Sequence, residues 1–214
     1  FRQVSEEERD RLAQKWGKQK ENVLVGAIGR LHKVKGFPYF VEACRKLHEE
    51  ETGRYRFVLV GDGPERKALE ELVQEKGLAD VFHFAGFRED VATCLHALDC
   101  YVSSSLSEGL GLAVLEALAS GTPVVATGVG GVLDFARHEH NCLLVEPADS
   151  LALAHAIRRL VNDRSLAERL TRQAIIDVES KFSVEQMGAK TAHCYRKWRA
   201  KHAALQRRSN VSQS

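Results

Sequence analysis

The sequence predicts an α/β fold: a doubly wound parallel sheet of about six strands, with extra helices at the C-terminal end. Three observations point to it. Short β-rich apolar runs recur at 22–27, 55–60, 81–85, 99–103, 123–126 and 141–145, nearly continuous in the way of strands covered on both faces. Helical patterns fall between them, at about 37–51, 65–76, 89–97, 110–120 and 130–138. Three more helical segments come after the last strand, at roughly 150–161, 165–180 and 184–205. An alternation of this kind calls for right-handed crossovers, which place helices on both faces of the sheet.

In chain order, residues 1–20 read as a helix or linker ahead of the first strand, and 21–182 as a Rossmann-like domain. Residues 183–205 read as a C-terminal helix and 206–214 as a disordered basic tail. The chain has 214 residues, 44% of them hydrophobic and 28% charged, ordinary values for a globular domain that buries a sizeable core. No run approaches the roughly 18 apolar residues of a membrane span, and no secretory signal is recognisable. Five cysteines lie scattered without a Cys-X-X-Cys pair, which fits buried thiols in a reducing compartment and predicts a cytoplasmic protein. Nine histidines show no ligand spacing beyond His138-Glu139-His140, so no metal site is expected. The net charge is only +2, yet residues 190–214 carry Lys190, Arg196, Lys197, Arg199, Lys201, Arg207 and Arg208 and no acid. That stretch reads as a solvated helix face, or as a patch drawn to the anionic inner face of a membrane. Aromatics are not interleaved with the basic residues as nucleic-acid binding would ask.

Ligands of doubly wound sheets bind beyond the carboxyl ends of the strands, so the strand-to-helix loops carry the functional information. They are Ile28-Gly29-Arg30-Leu31-His32-Lys33-Val34-Lys35-Gly36, Gly61-Asp62-Gly63-Pro64, Gly86-Phe87-Arg88, 103–109 and Thr127-Gly128-Val129-Gly130-Gly131. Each holds glycine or small polar residues. There is no Gly-X-Gly-X-X-Gly after the first strand and no Gly-Lys-Ser/Thr, which removes the main support for dinucleotide oxidoreductases and P-loop enzymes.

The most informative stretch runs from Ser107 to Glu116. Glu108 stands just before Gly109-Leu110-Gly111, and Glu116 interrupts the apolar run that opens with Leu112. A helix beginning near Leu110 would aim its free N–H groups and positive dipole end into the turn, a site for phosphate, while the glycines let a ligand approach the backbone. With about 1.5 Å rise per residue, Leu110 to Glu116 spans roughly 9 Å, a spacing that suits carboxylates gripping hydroxyls at opposite ends of a diphosphate. Arg30 and Lys35 supply the missing positive charge from the first loop, Arg as a planar fork and Lys as a compact cation. Lys33 competes, but Lys35 directly precedes Gly36 and the helix.

These segments, with Val60-Gly61-Asp62-Gly63-Pro64, Phe84-Ala85-Gly86-Phe87 and Ser120-Gly121-Thr122-Pro123, together resemble the C-terminal domain of the large retaining GT-B glycosyltransferase family, group 1 or family 4. Its hallmark is two glutamates spaced by seven residues, and the resemblance covers roughly residues 20–205. It implies that the domain holds the nucleotide-diphosphate sugar, UDP- or GDP-linked, of an enzyme that transfers a hexose in glycan, lipid or polysaccharide synthesis. Arg30 and Lys35 would neutralise the diphosphate, Glu108 would hold hexose hydroxyls, and the backbone of Gly109, Leu110, Gly111 and Leu112 would cradle sugar and phosphate oxygens. Glu116 would bind the ribose. Gly29 and Gly61 would flank the nucleotide, with Phe87 and Arg88 against its base. No metal or other cofactor is implied. Two departures stand out: Ser104 where relatives commonly have proline, and Asp134 where glutamate is common. The resemblance also implies an acceptor-binding N-terminal domain that this chain lacks, so the chain is expected to be inactive alone. Two other readings stay open: a stand-alone nucleotide-sugar-binding subunit working with a partner chain, and a GT-B-like isomerase.

Overall fold

The computed structural model of the chain describes residues 4–182 and 184–211. Helix α1 (Glu6–Lys15) leads into β1 (Val23–Ile28), after which helices and strands alternate: α2 (Phe37–Glu50), β2 (Tyr55–Val60), α3 (Arg66–Glu75), β3 (Phe82–Gly86), α4 (Val91–Ala97), β4 (Cys100–Ser103), α5 (Leu112–Ala119), β5 (Val124–Thr127) and β6 (Leu143–Val145). Three helices close the chain, α6 (Ser150–Asn162), α7 (Arg164–Phe182) and α8 (Val184–Val211). The strands form one parallel sheet in the order β3-β2-β1-β4-β5-β6. The α/β doubly wound architecture read from the sequence is therefore the one observed.

Local chemistry explains the element ends. The Ser5 hydroxyl and the Glu8 carboxylate form a capping box that starts α1. Gly36, in the left-handed region at φ 61°, ends a short 3₁₀ turn at Lys33–Lys35 and caps α2, which carries proline in its first turn. Because side chains alternate along a strand, the sheet serves two layers. Val25, Ala27, Phe57, Leu59, Cys100 and Val102 pack with Phe40 and Leu47 of α2, Leu69 of α3 and Leu153 and Ile157 of α6. Leu24, Gly26 and Tyr101 occupy the alternate positions, and α1 packs against α4. Gly26 has no room for a side chain: a Cβ there would lie 2.5 Å from Leu98 and 2.8 Å from Val58. The chain divides into two compact units, one running to Ile176 and one from Asp177 onward. Among the described residues no helix is long and apolar enough to cross a membrane.

Some segments differ from the sequence reading. The helix expected at 130–138 is a 3₁₀ turn of five residues, Gly130–Asp134. Beyond that turn the chain is held by Asn141, which accepts from the Arg137 amide at 2.8 Å and donates to the Phe135 carbonyl at 2.8 Å, replacing helical bonds with a side-chain bridge. That use of Asn141 also delays β6 to Leu143. Helix α5 starts at Leu112 rather than Leu110, because Gly111 at φ 77° lies outside helical geometry. Helix α8 continues to Val211, beyond residue 205; Ser183 and residues 212–214 lie outside the described residues.

Candidate functional site

The direction of chain progression across the sheet reverses between β1 and β4, so the loops leaving these two strands open a crevice at the carboxyl edge. Backbone hydrogen bonds stitch the loops together. Leu106 N–H donates to Val34 O at 2.8 Å, joining the β4 loop to the β1 loop. Leu31 N–H donates to Asp62 O at 2.9 Å and Gly61 N–H to Gly86 O at 2.8 Å, adding the loops after β2 and β3. Gly131 N–H donates to Glu108 O at 3.3 Å, adding the loop after β5. Glycine is what lets these backbones touch. At Gly130, φ 51°, a Cβ would be driven into the Glu108 carbonyl oxygen. At Gly61, φ 134°, it would be driven into that of Gly29. Most rim glycines thus serve loop-on-loop packing, where the sequence suggested approach by a ligand. Gly86 and Gly109 are exceptions, with nothing within 4 Å of their Cβ positions.

At the centre, Lys35 Nζ lies 2.7 Å from Glu108 Oε1. The 3₁₀ turn delivers this lysine from the end of the β1 loop, while Lys33 is exposed. The pair is largely covered, with side-chain exposures of 23% for Lys35 and 11% for Glu108. Ser105 Oγ donates to the same carboxylate oxygen at 2.6 Å. Glu108 Oε2 has no protein partner among the described residues.

Glu116 sits in the second turn of α5, half-buried and with no hydrogen-bond partner for its carboxylate among the described residues. From the true helix start at Leu112 it lies only about 6 Å along the axis, less than the sequence spacing suggested. Burial alone raises its carboxyl above the ordinary value of 4.5. Both glutamates act on one point: the buried Tyr101 phenol is pushed up by burial and then by the charges of Glu108 and Glu116. At the mouth of α5 the N–H groups of Leu112 and Ala113 precede the first helical bonds, which begin with Val114 and Leu115 donating to Gly111 O. Leu110 and Leu112 project outward, 45% and 62% exposed.

The other predicted residues line a neighbouring cavity of about 450 Å³ bounded by Gly29, Arg30, Gly61, Asp62, Phe87 and Arg88 among others. Arg30 is exposed there, with no side-chain partner among the described residues. The two cations of the β1 loop therefore part company: Lys35 pairs with Glu108 and Arg30 faces the cavity. Phe87 stands out at 74% exposed. The Arg88 guanidinium is occupied by a two-point pairing with Asp90, at 2.9 and 2.6 Å. It can frame a ligand but donates little to one.

Sequence reasoning noted Ser104 only as a departure from relatives and Thr127 only as a loop residue, and gave no role to Ser105 or Tyr101. Ser104 Oγ donates to Lys35 O at 3.0 Å, and Thr127 Oγ1 donates to Ser105 O at 2.6 Å. The signal present was Ser105 three residues ahead of Glu108; small hydroxyl residues in a turn are too common to single out without contacts.

Comparison with known proteins places the chain in a family. A family model described as "Glycosyl transferases group 1" matches residues 8–177. The chain belongs to this family. It is 36% identical over 158 residues to 2-deoxystreptamine glucosyltransferase of Streptomyces kanamyceticus, covering 72% of this chain and 40% of that one. It is 38% identical over 162 residues to the lipopolysaccharide core biosynthesis glycosyltransferase LpsE of Rhizobium meliloti, covering 76% and 46%. A crystal structure of the C-terminal domain of a group 1 glycosyl transferase (LpcC) from Francisella tularensis superposes with a TM-score of 0.70 at 30% identity, covering 80% of this chain and 93% of that one. The structure of Anabaena Alr3699/HepE in complex with UDP and glucose gives a TM-score of 0.82 at 27% identity, covering 90% and 53%. This group 1 chain thus spans about two fifths to one half of the length of the curated relatives it matches.

Proposed function

We propose that this group 1 glycosyltransferase domain binds the nucleotide-diphosphate sugar of a retaining hexosyl transfer, with UDP- or GDP-linked donors the leading candidates. The observation that carries the reading is the covered Lys35–Glu108 pair ahead of the open amide end of α5, with Glu116, whose carboxylate has no donor among the described residues, in the second turn of that helix. A half-buried carboxylate without a donor is costly until hydroxyl groups supply one, which suits Glu116 to a ribose. The unused Oε2 of Glu108 suits a hexose hydroxyl. Lys35, the α5 amides and the free guanidinium of Arg30 offer positive charge to the diphosphate, whose negative charge grows as the glycosidic bond breaks. Phe87 and the cavity beside Arg30 offer an apolar wall for the base. A bound UDP in a structural relative supports this assignment by analogy of fold. In this reading no metal or other cofactor takes part, and the acceptor is held by a further domain of the kind that makes the relatives longer. The reaction runs in the cytoplasm, with the basic stretch from Lys190 onward touching the inner face of a membrane.

Calorimetric titration with UDP, GDP and ADP tests the proposal. One of them is expected to bind the wild-type chain, with weaker binding by Lys35→Ala and Glu116→Ala. Absence of binding by all three, or unchanged affinity in both variants, rejects it.

A further inference from the structure

If Lys35 is to meet a diphosphate, its ammonium must leave Glu108, and that departure creates a problem the fold has to solve. The Glu108 side chain is only 11% exposed, so a carboxylate deserted by its lysine would be a nearly buried charge. The one other donor on it among the described residues is the hydroxyl of Ser105, at 2.6 Å from Oε1, the oxygen that Lys35 also uses. Ser105 is itself buried and cannot drift away with a mobile loop, because its carbonyl accepts from Thr127 Oγ1 at 2.6 Å at the end of β5. The adjacent hydroxyl, that of Ser104, holds the Lys35 carbonyl at 3.0 Å. Both backbones are thereby anchored, and the exchange is confined to one flexible lysine side chain.

We propose that Ser105 is a positioning residue: its hydroxyl keeps the Glu108 carboxylate seated, with Oε2 facing the crevice, while the Lys35 ammonium moves from carboxylate to phosphate. This rests on the donor-binding reading above and deepens it. No bond is made or broken; one ion pair is traded for another while a single neutral donor remains. Hydrogen bonds to charged groups contribute enough to change an equilibrium about tenfold or more. A hydroxyl that served packing alone would give the same loss whatever its neighbours.

The test is a pair of mutant cycles on this chain. Ser105→Ala is expected to weaken binding of whichever of UDP, GDP or ADP the wild type takes, about tenfold, and to have no such effect in the Glu108→Gln background, where there is no charge to seat. Thr127→Val, nearly isosteric, is expected to give the same pattern with a smaller loss. Equal losses with and without Glu108→Gln, or no loss in either, overturn the proposal. A second cycle needs no ligand. In urea denaturation, Ser105→Ala is expected to lower the midpoint more in Lys35→Met, where the serine is the sole donor to Glu108 among the described residues, than in the wild type; equal shifts overturn the proposal. If wild type binds none of the nucleotides while the urea cycle shows the coupling, the donor-binding reading fails and the hydroxyl's hold on Glu108 stands.

Discussion

Replacing Glu108 with glutamine should make the domain bind nucleoside diphosphates more tightly, not less. In the unliganded chain the Lys35 ammonium is spent on Glu108 at 2.7 Å, and a phosphate must compete for it. Unit charges 4 Å apart attract by about 4 kcal/mol at an effective dielectric near 20, while fully exposed pairs yield a net of only about 0.2–1 kcal/mol. With side chains 23% and 11% exposed, this pair lies between those limits, and about 1–2 kcal/mol is a reasonable figure for what Lys35 gives up. Glutamine keeps the shape and the Ser105 contact but removes the charge. At 1.4 kcal/mol per tenfold, Glu108→Gln should tighten UDP or GDP about 5- to 30-fold, and the gain should shrink as salt rises. Lys35→Met should move affinity the opposite way. For the sugar-linked donor the gain should be offset, since a carboxylate suited to hexose hydroxyls has been lost. Calorimetry at two salt concentrations, with thermal denaturation as a folding control, reads all of this. A folded Glu108→Gln variant that binds the nucleoside diphosphate no better than wild type refutes the competition on which the reasoning stands.

The same rim carries other expectations. Gly130→Ala forces a left-handed backbone on alanine and pushes its Cβ into the Glu108 carbonyl, so it should cost about 1–3 kcal/mol, read as a drop of several degrees in Tm, and impair nucleotide binding by shifting Glu108. Phe87→Ala, at a side chain 74% exposed, should leave Tm within a degree or two while weakening nucleotide binding, the mark of a residue that packs on ligand and not on protein. Glu116 ties affinity and stability to pH in opposite senses. Burial raises its carboxyl above 4.5, so the folded state holds the proton more firmly than the unfolded chain, and this stabilising increment is lost as pH rises through that raised value. Glu116→Gln should therefore be more stable than wild type at pH 7, with the advantage vanishing below pH about 4.5, while wild-type nucleotide affinity should fall on acidification through the same window. Urea denaturation and calorimetry across pH about 4–7.5 check both signs.

Much of the fold was legible because parallel strands covered on both faces write themselves as uninterrupted apolar runs: the range 55–60 matches β2 at both ends, and the other five strands lie within two residues of their expected bounds. Helix α2 was equally plain, since its apolar face recurs with helical period and glycine precedes it. The miss at 130–138 came from a side chain acting as backbone: Asn141 supplies bonds that a helix would otherwise make, and no periodicity announces that. The two-residue shift in the start of α5 came from Gly111, whose left-handed φ is permitted but not dictated by its lacking a Cβ.

Glutamates bracketing a glycine turn, and an arginine and lysine on the first loop, are matters of residue type and spacing, and the sequence alone determined that Arg30, Lys35 and Glu108 would stand on loops after strands and Glu116 inside the following helix. Their partnerships belong to the tertiary structure. Only the strand order, β1 beside β4, brings Lys35 within 2.7 Å of a residue 73 positions away and leaves Arg30 facing the next cavity. Only the pairing of β4 with β5, Ser103 beside Ala126, sets Thr127 against Ser105 and so behind Glu108. A hydrogen bond is a fact of distance and angle between atoms from different strands, and local sequence holds the donor without saying where its acceptor lies.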